Sequence, residues 1–224
     1  HPEELTAGFL AAKGRNGGLY DVFRNRVIIP IIDIRGNVVA FGGRVLDDSK
    51  PKYINTESTP AYSKSRNLFA LNFAKSAGRE LNLCEGYMDA IAMHQAGFTN
   101  TVAALGTAFP DEQIQLIARY ADRINLIFDA DGAGQKATAR AIERLRKTGL
   151  DVRVVSIPDG KDPDEFIKRN GPEAFKLLLE RSANAVEHQL LGIGQRHDIQ
   201  TSNGKIAYLK EAVAVLAAPD SPVE

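Results

Sequence analysis

At 224 residues, with 44% hydrophobic and 25% charged residues, the chain has the composition of an ordinary globular protein. That length admits one large domain or two small ones around a sizeable core. Its 28 Lys+Arg balance 28 Asp+Glu, which taken alone argues against a dedicated polyanion binder, and its single cysteine, Cys84, excludes a disulfide framework and a cysteine-rich zinc site within the chain.

The neutral total hides an asymmetry. Residues 1–78 carry 11 Lys+Arg against 7 Asp+Glu, whereas residues 79–170 carry 12 against 14 and residues 171–224 carry 5 against 7. A basic face beside an acidic site is the expectation. Without a signal peptide, transit peptide or long apolar span, the expected location is the cytosol. With His-Pro in place of Met at its start, the chain is expected to be an excerpt of a longer protein.

In chain order, residues 1–20 read as a helix (PEELTAGFLAA) stopped by the Gly-rich loop GRNGG. NRVIIPIID and VVAFGGRVL, separated by RGN, predict an antiparallel hairpin. Gly42 and Gly43 inside its second strand predict a bulge or the close approach of another backbone. Residues 47–66 read as a polar, irregular crossing.

From Arg79 the texture alternates. ELNLCE, TNTVAAL, RINLIFD and DVRVVSIP read as strands, joined by helices with stop signals at Gly97 and Gly149 and with Pro110 at the first turn of the second helix. Four strands with helical connections predict an open, mainly parallel α/β sheet with both faces covered. A mixed α/β segment precedes it. Helices follow it: DPDEFIKRN, PEAFKLLLERS, ANAVEHQLLGIGQR and NGKIAYLKEAVAVLAA. The expected units are therefore 1–78, 79–170 and 171–224. Cys84 falls in a predicted buried strand and reads as a small core residue.

The chemistry concentrates at the strand ends. Glu85 and Asp89 follow the first strand, Asp129 and Asp131 the third, Asp162 and Asp164 the fourth. In an open parallel sheet these positions share the edge where such folds bind ligands. Helix capping or turn chemistry accounts for any one pair. Independent capping does not explain acidic pairs at three of four strand ends. Six carboxylates there repel unless cations lie between them, and oxygen-only donors suit Mg²⁺ or Mn²⁺ rather than zinc. Gly132 and Gly134 permit a tight turn and close approach to a phosphate.

The basic half carries Arg24, Arg26, Arg35, Arg44, Lys50, Lys52, Lys64 and Arg66, with Tyr53 and Asn55 among them. A stacking ring and an amide beside cations suit a nucleic-acid strand, although scattered Lys and Arg more often form a solvated face. His94 lacks nearby His or Cys partners for zinc. Ser63 and Ser65 have no His and Asp context for a nucleophilic triad. GRNGG lacks the Lys-Ser/Thr ending of a P-loop.

Together EGYMDAI, the LGTA at 105–108, FDADGAGQKA and KDPDE resemble the Toprim domain shared by bacterial DnaG-type primases, topoisomerases and some nucleases. FRNRVIIPI, VVAFGGRVL, PKYINTESTP and LFALNFAK narrow the resemblance to the bacterial primases, over most of residues 20–180. That resemblance implies a Mg²⁺-dependent RNA polymerase domain making short primers from ribonucleoside triphosphates on single-stranded DNA. It implies Glu85 as general base, Asp89, Asp129 and Asp131 as metal ligands, and Asp162 and Asp164 completing the cluster. Arg44, Lys52, Tyr53, Asn55 and Lys64 match basic-ridge positions for template, primer or nucleotide. The family's zinc module and its complete helicase-binding domain are not in this chain, so the helicase partner would bind elsewhere. A Toprim nuclease or topoisomerase, or a non-catalytic nucleic-acid scaffold, are the rival readings. GGRV and PKYIN favour primase over the first two, and the six acidic positions speak against the third.

Overall fold

A computed structural model describes residues 1–105, 109–128, 132–158 and 162–217. The chain opens with helix α1 (Pro2–Ala7), which ends far sooner than its sequence suggests. Gly8 leaves the helical conformation and Phe9 adopts φ 61, a left-handed value that breaks the helix. The predicted helix over PEELTAGFLAA is therefore a short helix and then strand β1 (Ala11–Lys13), which pairs antiparallel with β2 (Leu19–Asp21). GRNGG is the turn of that hairpin, with Gly17 at φ 76, not a helix stop.

The predicted hairpin forms from β3 (Val27–Ile32) and β4 (Val38–Arg44). Asp33 Oδ1 accepts from the backbone N–H groups of Arg35 and Asn37 at 2.9 Å each, and Gly36 supplies a positive φ, so the RGN turn is locally encoded. The register shift lies at Ile31/Ile32 rather than at the glycines. Residues 47–66 are less irregular than expected. β5 (Tyr53–Asn55) adds a third strand, pairing Gly42 with Asn55 and Arg44 with Tyr53, and a 3₁₀ turn covers Lys64–Arg66.

After α2 (Leu71–Ala74), the alternating region supplies β6 (Glu80–Cys84), α3 (Tyr87–Gln95), β7 (Thr101–Ala103), α4 (Asp111–Tyr120), β8 (Arg123–Ile127), α5 (Gly132–Arg146) and β9 (Asp151–Val154). Gly97 and Gly149 sit at positive φ just beyond α3 and α5, where helices commonly terminate. Pro110 is the N-cap of α4, one position earlier than predicted. Then come α6 (Pro163–Glu180), β10 (Ala183–Asn184), α7 (Ala185–Arg196) and α8 (Ser202–Leu216). Helix α6 is two helices meeting at Gly171, φ 83, ahead of Pro172, which matches its two predicted segments.

Among the described residues the main sheet has five strands, not four, in the order β10-β9-β8-β6-β7. The four predicted strands are mutually parallel; the two-residue β10 adds antiparallel to β9. It was invisible because two residues cannot show a period. Leu81, Leu83, Ile124, Leu126, Val152 and Val154 pack one face against Ile114 and Ile117 of α4 and Ile142 and Leu145 of α5. Cys84, Ile127 and Val155 pack the other against Ala90 and Met93 of α3 and Phe166 and Phe175 of α6. Cys84 is fully buried there, as expected.

Strand order places the site. β6 connects to β7 on one side, while β8 connects to β9 on the other, so connections diverge at the β6/β8 boundary. Such a switch point opens a crevice at the carboxyl ends of the strands. The outer edge of β7 is closed by Phe69, which exchanges both backbone hydrogen bonds with Ala103 at 2.9 and 3.2 Å. A third apolar cluster joins Ile29, Ile31 and Ala40 to Tyr87 and Leu105, seating the β3–β5 sheet against the start of α3.

Candidate active site

At the end of β6 the apolar run stops at Cys84, and Glu85 emerges exposed at the strand tip. Gly86 is the N-cap of α3, and Asp89 lies in the helix's first turn, where negative charge suits the helix dipole. A Cβ on Gly86 would stand 3.1 Å from Asp89 Oδ2, so the absent side chain leaves room for the carboxylate to fold back over the strand end.

Asp162 caps α6, its Oδ1 accepting from the Glu165 N–H at 2.7 Å, with Pro163 at the first helical position. Asp164 in the helix's first turn meets Lys168 Nζ at 2.6 Å. The capping explanation for this motif is therefore real, but it does not exhaust it. Asp162 and Asp164 line the same cavity as Glu85 and Asp89, a space of about 430 Å³.

The opposite wall of that cavity is basic and aromatic: Arg44, Lys52, Tyr53 and Asn55 from β4, β5 and their connection. Arg44 and Lys52 place their charged groups 5.6 and 5.7 Å from the centre of the Tyr53 ring, both within cation–π range. Burial raises the Tyr53 phenol above its ordinary pKa; Arg44 opposes this, while the charges of Asp89 and Asp162 push it up further. The two walls feel one another electrostatically. Four carboxylates face two cations in one cavity, an excess of negative charge that a bound cation would relieve.

Two residues given no role by the sequence reading support these walls. Tyr87 lies buried between Glu85 and Asp89 and meets Tyr53 edge to face, with centroids 5.6 Å apart and planes at 88°. Arg26 donates to the carbonyls of Gly43, Pro51 and Lys52 at 3.4, 2.7 and 3.2 Å, pinning the segment that carries Lys52. Gly42 and Gly43 were the available signal. A Cβ on Gly42 would stand 3.0 Å from the Tyr87 ring, and one on Gly43 only 2.7 Å from Phe23. The close approach predicted there is real, but side chains make it rather than another backbone.

Other expected residues fall elsewhere. Lys64 starts the 3₁₀ turn, where its carbonyl accepts from Gln113 Nε2 at 2.9 Å, and it does not line the cavity. Asp129 and Asp131 lie outside the described residues, as does most of the LGTA segment. Among the described residues no group of three or more His, Cys, Asp or Glu side chains is arranged to hold a metal. The acidic side chains lining the cavity offer carboxylate oxygens, the donor type that hard divalent cations take. His94 is occupied structurally, its Nε2 2.8 Å from the Thr101 carbonyl oxygen.

The fold and the strand-end site define a Toprim-like protein, and residues 82–167 match the family described as Toprim-like. Residues 1–75 match the N-terminal domain of the DNA primase catalytic core. The chain belongs to the DnaG-type DNA primase family. It is 44% identical to the DNA primase of Clostridium acetobutylicum over 99% of its own length and 43% identical to that of Deinococcus radiodurans over 92%. It spans 37% of the length of each of these two relatives. Among solved structures, a DnaG primase catalytic domain bound to single-stranded DNA superposes with a TM-score of 0.85 at 32% identity, covering 99% of this chain and 73% of that one. A DNA primase domain from Pseudomonas aeruginosa gives 0.85 at 36% identity, covering 98% and 71%.

Proposed function

We propose that this chain is the catalytic part of a primase: it positions single-stranded DNA and ribonucleoside triphosphates for synthesis of short RNA primers. One observation carries the reading. A single cavity has Arg44, Lys52, Tyr53 and Asn55 on one wall and Glu85, Asp89, Asp162 and Asp164 on the other. The first wall suits phosphates and a stacked base, the second a phosphate-bound divalent cation. The kinship with a catalytic domain solved with single-stranded DNA supports the same reading. In whole primases the replicative helicase is the expected further partner, and the cytoplasmic replication machinery the expected setting.

The roles proposed here are the ones the family resemblance implies. Glu85 is the proposed general base for the attacking ribose hydroxyl, with a proton to accept at its carboxylate. Asp89, Asp129, Asp131, Asp162 and Asp164, with Glu85, would hold Mg²⁺, for which Mn²⁺ is the expected substitute. When bound, the metal supplies neutralisation of charge at the reacting phosphate. Arg44 and Lys52 hold phosphates, Tyr53 stacks and Asn55 offers an amide; Lys64 serves the polyanion from outside the cavity. Residues 1–78 would form the basic template-gripping unit, 79–170 the catalytic sheet and 171–224 its helical support.

The test is primer synthesis on a single-stranded template with Mg²⁺ or Mn²⁺. Glu85→Gln, Asp129→Ala and Asp131→Ala should each lower the rate by about 10²-fold or more, the low end of what a general base contributes. Undiminished synthesis in Asp129→Ala or Asp131→Ala would overturn the metal roles.

A further inference from the structure

Two buried oxygens beside the active-site cavity lack hydrogen-bond partners among the described residues: the Tyr87 hydroxyl and Asn55 Oδ1. Leaving either unpaired away from water is costly, so a native structure that does so invites an explanation. The two converge on one point. A Cβ built on Gly42 would lie 3.0 Å from the Tyr87 hydroxyl and 3.1 Å from Asn55 Oδ1. Gly42 is the β4 residue directly opposite Asn55, and its missing side chain is what keeps the space between the oxygens open.

Their chemistry is complementary. A phenol hydroxyl carries a proton to donate. An amide carbonyl is an acceptor. Reversing the Asn55 amide would only exchange the roles, with its NH₂ donating to the phenol oxygen. The two residues also stand on opposite walls: Asn55 on β5 beside Tyr53 and Lys52, Tyr87 at the first position of α3 between Glu85 and Asp89.

We infer that Tyr87 is a positioning residue whose phenol hydrogen-bonds to Asn55 when nucleotide fills the cavity, latching the basic strand to the acidic helix. The edge-to-face contact with Tyr53 and the packing of Phe69 on the Tyr87 ring, with centroids 5.8 Å apart, aim the phenol and limit its travel. The inference rests on the proposed active-site reading and adds to it a bond joining its two walls.

Calorimetric titration of the chain with ATP and Mg²⁺ tests it, using Tyr87→Phe, Asn55→Ala and the double variant. Tyr87→Phe keeps the ring and its packing, and its unfolding temperature reports whether the fold is intact. The expected result is nucleotide affinity about 3- to 10-fold weaker in Tyr87→Phe, the cost of one hydrogen bond. The double variant should be no weaker than Asn55→Ala alone, because each change removes the same bond. Affinity equal to that of the unmodified chain in Tyr87→Phe, or losses that multiply in the double variant, would overturn the latch and leave the active-site reading standing. If the unmodified chain binds no nucleotide, both fall together.

Discussion

Arg26 donates from Nη1 to the backbone carbonyl of Lys52 at 3.2 Å and from Nη2 to that of Pro51 at 2.7 Å. A side chain from the start of the basic hairpin thus holds the backbone of a residue on the cavity wall. Planar, forked donors suit this bridging, which a lysine ammonium cannot reproduce.

Arg26→Ala should therefore release the 50–52 segment and weaken single-stranded DNA binding several-fold, with Arg26→Lys failing to restore it. Fluorescence anisotropy with a labelled oligonucleotide at fixed salt reads this out. Wild-type affinity in both variants would show that Lys52 keeps its place unaided.

The role proposed for Lys52 is to hold a phosphate of the polyanion by charge. Lys52→Ala should weaken the same oligonucleotide and also flatten the slope of log affinity against log salt by about 0.7, the value for one phosphate contact on a single strand. An unchanged slope would remove Lys52 from the phosphate-binding wall.

At the far end of the main sheet a polar ladder crosses the strands. Asn125 Nδ2 donates to Asn82 Oδ1 at 2.9 Å and to Glu80 Oε1 at 2.7 Å, and Asn82 Nδ2 donates to Asn100 Oδ1 at 3.0 Å. Asn82 and Asn125 are each only 1% exposed. Asn82→Ala breaks the chain of amides in the middle, and should cost about 1–3 kcal/mol, the penalty for stranding a buried polar group. Urea unfolding with an unchanged slope and a lowered midpoint is the expected signature; an unchanged midpoint would mean the amides find other partners.

His188, half-buried on α7, has its pKa lowered from 6.5 by burial. The folded state thus disfavours the charged imidazole. Its neutral form is accommodated without penalty above pH 6.5, and stability is lost as pH falls below that value through the folded pKa. Thermal unfolding between pH 7.5 and about 5.5, where carboxylates stay ionised, should show a steeper decline in the unmodified chain than in His188→Gln. Parallel declines would place the effect elsewhere.

Where the sequence reading succeeded, the signals were local. The β3–β4 hairpin, the four parallel strands and the helix ends at Gly97 and Gly149 all follow from apolar runs and backbone-permissive residues. AAK, YIN and AN form strands only because a neighbouring strand supplies their hydrogen bonds, and runs that short carry no period. The carboxylates at 85, 89, 162 and 164 were legible because sheet topology fixes where strand ends point. Their meeting with Arg44 and Tyr53 was not, since it depends on how one sheet seats against another. Tyr87 was read as part of a motif, and only the packing against Gly42 and Tyr53 gives it a separate identity. The asparagine ladder was hidden in ELNLCE and RINLIFD, where single polar residues within apolar runs become informative once β6 and β8 are known to align Asn82 with Asn125.

The pairing of Phe69 with Ala103 occupies hydrogen-bonding groups at the free side of β7, and at the opposite margin β10 is only two residues long. An exposed strand margin is a template on which a second chain can extend a sheet, the route to strand exchange and fibrous aggregates. Here one margin is spent on the molecule's own backbone and the other is too short to propagate. Among the described residues, a macromolecule docking on this sheet would meet side chains and surface charge more readily than a long free strand margin.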